Sequence, residues 1–367
     1  MSGIMTDFSA PSSGPSGAPS PSPAESPLVK RLAGRGAEVA DAPPSVWFMR
    51  QAGRSLPEYK QVRGTTGMLE SCLIPEMAAE ITLQPVRRHK VDAGIFFSDI
   101  MTPLKIAGLG VHIEPGIGPV FEEPISSEAD IRALPPVDDV IRAALDPIRE
   151  AVRITVEELG STPLIGFCGA PFTVASYMVE GRPSRDHLTT RSLMTREPEL
   201  WAHLAEWVAN LSGEFLRAQV EAGASAVQLF DSWAGSLSER VYREHVLPHS
   251  ERTLGFVADL DVPRTHFGVG TGHMLPAIAD AGATCVGVDH RIELSEAIDL
   301  LPGHLAVQGN IDPSVLFSSE EVRFAEAKRV VEQGRAAAGH VVNLGHGVPP
   351  TTDPQVLTDL VAHIHSL

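Results

Sequence analysis

Two guanidinium groups, Arg50 and Arg54, stand out first, in the stretch VWFMRQAGRSLPEY at 46–59. An apolar run at 46–49 stops abruptly at the first arginine, the pattern of a buried strand that delivers cations into a pocket. Gln51, Ala52 and Gly53 lie between the two. That spacing lets both planar forks turn toward one ligand, and such forks bind carboxylates bidentately. The plainer reading is a surface loop, because most arginines are simply solvated.

Further candidates follow other apolar runs. Asp99 closes the run 93–97, so its carboxylate is expected in a poorly hydrated spot where it accepts N–H groups or stabilises a developing cation. A helix N-cap is the alternative; Pro103 and the glycine-rich stretch after it argue against a helix starting there. His346 sits between Gly345 and Gly347 in NLGHGVPP, where the glycines let backbone approach a ligand and leave the imidazole unobstructed. Tyr177, beside Met178 and Val179, offers a hydroxyl or plain packing. Ser232, after Asp231, hydrogen-bonds a carboxylate or caps the next helix, and no GxSxG elbow surrounds it. Gly268, Gly270 and Gly272 match a nucleotide loop only loosely. His245 and His249 have metal-ligand spacing, but Pro248 intervenes and no acidic or cysteine partner is near. Asp289 and His290 are left open between structural and pocket-lining roles.

The elements that would position these residues alternate. Short apolar, β-branched runs occur at 46–49, 93–97, 163–167, 226–230, 265–268, 284–288, 305–309 and 340–344. Between and after them lie helical segments at 75–88, 141–159, 197–222, 237–257, 274–281, 294–301, 319–338 and 353–365. This is the pattern of a single-domain α/β fold, a closed (β/α)8 TIM-type barrel whose strand ends carry the site. A doubly wound open sheet is the alternative. The segment 104–124 reads as an inserted hairpin and 170–191 as a long connection on the same face. Residues 1–27, rich in Ser, Pro, Gly and Ala, read as a disordered tail, leaving 28–367 as the barrel.

Composition narrows the partners. A net charge of -17 repels nucleic acid and anionic lipid, so an anionic ligand would have to be captured by local arginines. No apolar stretch approaches bilayer-spanning length, so no membrane partner is expected. Cys72, Cys168 and Cys285 are far apart and odd in number, which argues against a disulfide framework or a structural zinc. With no secretory signal pattern at the N-terminus, the cytoplasm is the expected compartment.

The motifs together carry a resemblance. MRQAGRSLPEY at 49–59, FFSDIMTPL at 96–104, GFCGAPFTVASYMVEG at 166–181, QLFDSWAG at 228–235, QGNIDP at 308–313 and NLGHGVPPTTDP at 343–354 resemble the uroporphyrinogen decarboxylase family. The resemblance implies a (β/α)8 barrel, a homodimer, and removal of the four acetate carboxylates of uroporphyrinogen III in haem biosynthesis, with no metal or organic cofactor. It also implies site residues: Arg50, Gln51, Ala52, Gly53 and Arg54 on substrate carboxylates, Asp99 on the pyrrole N–H groups, and Tyr177, Ser232 and His346 around them. Asp99, Arg50 and His346 are the catalytic candidates. Two positions depart from the family pattern: Ser55 where a tyrosine is usual, and the run Arg182-Pro183-Ser184-Arg185 after Gly181. A related zinc methyltransferase is the nearest rival; it would need a His-x-Cys arrangement that none of the cysteines has. A non-catalytic tetrapyrrole-binding barrel is the other.

Overall fold

The computed structural model describes residues 22–53 and 55–367. Of the stretch expected as a tail, residues 1–21 lie outside the described residues, and 22–27 belong to the fold. Ser26 accepts from the Val29 N–H and caps the helix Pro27–Leu32, which buries Leu28, Val29 and Leu32. The Arg31 guanidinium of this helix donates to the Pro43, Ala42 and Val39 carbonyls and to Ser45 Oγ, fixing the chain as it enters the first strand.

Among the described residues ten strands follow in chain order. β1 (Ser45–Val46), β2 (Gly94–Ile95), β5 (Leu164–Gly169), β6 (Ala226–Asp231), β7 (Arg264–Gly268), β8 (Cys285–Gly287), β9 (Ala306–Gln308) and β10 (His340–Val342) form one parallel sheet. Its order is β1-β10-β9-β8-β7-β6-β5-β2. β3 (Val111–Glu114) and β4 (Gly118–Phe121) pair antiparallel as the hairpin expected within 104–124. The eight parallel strands match the eight apolar runs, and nearly every strand residue is buried, as expected of strands covered on both faces. Among the described residues no helix is long and apolar enough to cross a membrane.

The sheet curls so that its end strands meet, and that junction is thin. One backbone hydrogen bond joins them, from Asp92 N–H to the Val46 carbonyl (2.9 Å). Side chains complete the seam. Asp92 Oδ2 accepts from Val46 N–H (2.7 Å) and lies 2.8 Å from His365 Nε2 at the end of the helix Pro354–His365. Gln51, fully buried, accepts from Phe48 N–H and donates to the Ala93 carbonyl, each at 2.9 Å.

Three expectations change, besides the segment 141–159, which divides at Leu145 into the helices Asp139–Ala144 and Asp146–Leu159. The segment 170–191 is not a loop: Pro171–Glu180 and Leu188–Arg196 are helices, so Tyr177 is helical. Pro171–Glu180 is buried around most of its surface, which erased the amphipathic period that would have revealed it. A helix, Thr102–Ile106, does start directly after Asp99; Pro103 is tolerated because it falls in the first turn, where its missing N–H is not needed. The segment 237–257 divides at Val246 into Glu239–His245 and Leu247–Gly255, with Pro248 opening the second helix.

The seam predicts a pH-dependent stability. Asp92 raises the His365 pKa above its ordinary value of 6.5, and the imidazolium is the form that gains. The pair therefore contributes fully below about pH 6.5 and fades as pH rises through the folded-state pKa. The Tm gap between wild type and His365→Gln is expected to be larger at pH 6 than at pH 9; a constant gap would refute the linkage. Asp92→Ala, which also strands the Val46 N–H, is expected to cost about 1–3 kcal/mol in urea unfolding.

Candidate active site

Arg50 is delivered by a polar chain inside the barrel. Trp47 Nε1 donates to Gln308 Oε1 (3.0 Å), and Gln308 Nε2 donates to Gln228 Oε1 (2.9 Å). Gln228 Nε2 in turn reaches Met49 Sδ (3.6 Å). All four residues are buried, so their positions are tightly specified by mutual satisfaction. Immediately beyond Met49 the backbone turns left-handed at Arg50 (φ 59°), a conformation that costs a non-glycine residue on the order of 1–3 kcal/mol and is typical of functional sites. Gln51 points back into the seam, so its side-chain amide is already engaged. Ala52 is half-buried, Gly53 takes φ 128°, and Arg54 lies outside the described residues.

The turn after β10 is locked to the same place. Asn343 Oδ1 accepts from both Met49 N–H (2.9 Å) and Leu344 N–H (2.8 Å), and the Val348 N–H donates to the Met49 carbonyl (2.8 Å). Each glycine around His346 has its own neighbour. A Cβ on Gly345 would fall 2.7 Å from the His290 Cβ, and one on Gly347 would fall 2.5 Å from Arg50 Cδ. The turn therefore lies against Arg50 on one side and His290 on the other. Arg50, His290, Asp312, His346, Gly347 and Val348, with Pro313, Pro349 and Pro350, line a cavity of about 350 Å³. Burial, then Arg50 and His290, push the His346 pKa down to about 4, so its imidazole is neutral at neutral pH.

Asp99, Tyr177 and Ser232 do not line that cavity. Arg50 links the two groups electrostatically. Burial raises the Asp99 pKa, while the Met101 N–H on Oδ1 (2.9 Å) and the Arg50 charge pull it back. Burial and the charge of Asp99 push the Tyr177 hydroxyl up to about 12, so it stays a donor. Ser232 is half-buried at the end of β6, beside Trp233, whose ring stacks on Tyr177 at 3.9 Å between centroids. The open question at Asp289 and His290 resolves into both roles. Asp289 accepts from Gly270 N–H (2.7 Å) and pairs with Arg291, while His290 faces the cavity. The GVGTG run is thus a turn tied to Asp289.

Comparison with known proteins adds the family. The uroporphyrinogen decarboxylase (URO-D) family model matches residues 30–367. A uroporphyrinogen decarboxylase of Arthrobacter sp. is 58% identical over 335 residues, covering 91% of this chain and 96% of that protein. One from Leifsonia xyli is 55% identical over 356 residues, covering 92% and 93%. The chain belongs to the uroporphyrinogen decarboxylase family. Among solved structures, a methyltransferase from Methanosarcina mazei superposes with a TM-score of 0.77 at 19% identity, covering 94% of this chain and 98% of that one, a likeness of fold.

Within the family frame the metal-ligand candidates separate. His245 ends one helix and His249 lies in the next, and among the described residues no group of three or more His, Cys, Asp and Glu is arranged to hold a metal ion. The three cysteines are buried, and burial raises every thiol pKa. Sequence reasoning missed Asn343, which shows no chemistry of its own yet holds both Arg50 and His346 in place. It also missed Asp312 on the cavity wall.

The glycine contacts give a test. Gly347→Ala meets the Arg50 side chain at Cδ, Cγ and Cβ and has to displace it from the cavity wall, so anionic-ligand affinity is expected to fall roughly tenfold, with a smaller loss of Tm than in Gly345→Ala. Gly345→Ala meets the His290 backbone and is expected to lower Tm as well. Thermal melts and a porphyrin-binding titration distinguish the two.

Proposed function

We propose that this chain decarboxylates the four acetate side chains of uroporphyrinogen III to give coproporphyrinogen III, using side chains alone. The observation that carries the reading is Arg50, in a family member matched over residues 30–367, which shares a cavity wall with the neutral His346 and whose charge also acts on the buried Asp99.

The chemistry follows from the substrate. A pyrrole acetate holds its carboxylate until the electrons of the breaking C–C bond have somewhere to go. Protonation of the pyrrole α-carbon next to the carbon that bears the acetate creates an iminium-like cation conjugated to that carbon. Loss of carbon dioxide then returns the bonding pair to the ring as an exocyclic double bond. A proton added to the exocyclic carbon and one released from the α-carbon leave a methyl group and an aromatic ring, with one proton consumed overall.

In this reading Asp99 accepts the pyrrole N–H groups and stabilises the cation in a poorly hydrated site, where a fixed charge is worth far more than in water. Arg50 holds a substrate carboxylate and opposes the rise that burial imposes on the Asp99 pKa. Arg54, Tyr177, Ser232 and His346 complete the contacts, with Ala52 and Gly53 presenting backbone and Gln51 bracing the turn. A neutral His346 donates or accepts a hydrogen bond but is a scarce acid at pH 7. The proton donor is therefore Arg50, His346 once substrate carboxylates surround it, or a bound water. A homodimer in the cytoplasm belongs to the same reading and rests on the family likeness.

Anaerobic incubation with reduced uroporphyrinogen III, followed by separation of the oxidised products by carboxyl number, is expected to give a ladder from eight carboxyls to four, unaffected by chelator. Unchanged substrate beside a working control enzyme would sink the proposal. Asp99→Ala is expected to fold normally and lose on the order of 100-fold or more in kcat. Because His346 titrates near 4, His346→Gln is expected to lower the kcat/KM profile without altering its shape between pH 6 and 8. A wild-type inflection near 6.5 that vanished in the variant would contradict the neutral imidazole.

A further inference from the structure

Tyr177 is held by something outside the cavity. Its ring stacks on Trp233 at 3.9 Å and 29°, and Trp233 stacks on His187 at 4.3 Å and 27°. One indole face has no room for two rings so close to its centre, so Tyr177 and His187 take opposite faces. The middle ring is therefore closed to ligand on both sides.

The layers come from three elements. Tyr177 lies on the helix Pro171–Glu180, Trp233 follows β6 next to Ser232, and His187 opens the helix Leu188–Arg196. Each layer is also fixed by bonds or packing outside the stack. Thr173 Oγ1, on the Tyr177 helix, donates to the fully buried Asp231 (2.7 Å) and accepts from the Trp233 N–H (3.2 Å). His187 is 3% exposed in a left-handed backbone (φ 50°), its N–H on Ser184 Oγ (3.1 Å) and its ring edge-on to Phe172. Glu180 ties the two helices by accepting from Thr190 N–H and Oγ1. The run at 182–185, one of the two departures from the family pattern, is thus the chain that carries His187 onto the stack.

We propose that Trp233 is a positioning residue: clamped between Tyr177 and His187 and anchored through Thr173 to Asp231, it fixes where the Tyr177 hydroxyl meets the substrate. The inference rests on the decarboxylase reading of the site. It gives the Asp-Ser-Trp run at 231–233 a division of labour: Asp231 anchors, Ser232 is the ligand contact of the decarboxylase reading, and Trp233 sets its neighbour. A hydroxyl held in register keeps most of its value for the transition state, whereas a loose one loses it.

The test is a double-mutant cycle. Trp233→Leu removes the stack, Trp233→Phe keeps a flat ring, and Tyr177→Phe removes only the hydroxyl. Turnover of reduced uroporphyrinogen III, affinity for uroporphyrin I and Tm are measured for each. Trp233→Leu is expected to lower kcat/KM roughly tenfold in the wild-type background, but by less than about twofold when Tyr177 is already Phe. Trp233→Phe is expected to retain most activity. Equal losses in both backgrounds, or a Trp233→Phe loss as large as that of Trp233→Leu, overturn the proposal. If wild type makes no product, the decarboxylase reading fails by itself, and the same comparison made on uroporphyrin I affinity then decides the role of Trp233.

Discussion

The meeting of the first and second parallel strands is the constraint on which this fold turns. A sheet of eight strands becomes a barrel only if its two ends join, and here a single backbone hydrogen bond does so. The work falls to side chains that close the gap without a long ladder: Asp92 reaching across to β1, and Gln51 folding back from the turn. The residue between the seam and the cavity is Arg50. What closes the barrel therefore also aims the guanidinium, and the left-handed backbone at Arg50 persists because the turn is held on both sides.

Charge is organised by distance. The chain carries a net charge of -17, which repels a polyanion at long range, yet the cavity presents the Arg50 guanidinium, together with the Asp312 carboxylate and the His290 and His346 rings. Exposed charges are screened within roughly 10 Å at moderate salt, so a ligand that has entered the cavity responds mainly to the local set. Burial keeps His346 neutral in the cavity and, outside it, keeps Tyr177 a hydroxyl.

Much of the fold was legible because the strand runs are short, apolar and ended by polar residues, and because that alternation survives insertions. The candidate residues were legible where chemistry and punctuation coincide, as in an arginine after an apolar run or a histidine between glycines. Helix Pro171–Glu180 was not legible, since burial on nearly all sides removes the period that marks a helix. Nor was Asn343: a buried amide carries no sign of which two N–H groups it will accept. Gln228 and Gln308 open two of the motifs that carry the family resemblance, yet they spend their amides on one another inside the barrel.

The bond from Met49 to Asn343 spans 294 residues of chain. It joins the turn that carries Arg50, near the start of the folded body, to the turn that carries His346, near its end. During synthesis the arginine leaves the ribosome early and waits, with its strand unpaired on the β10 side, until almost the whole polypeptide has followed. At typical elongation rates of about 5–20 residues per second, that interval is on the order of 15–60 s. Throughout it the nascent chain holds half a site, so ligand binding begins only when the last strand docks, and a truncated chain that stops before β10 would have no Arg50–His346 cavity at all.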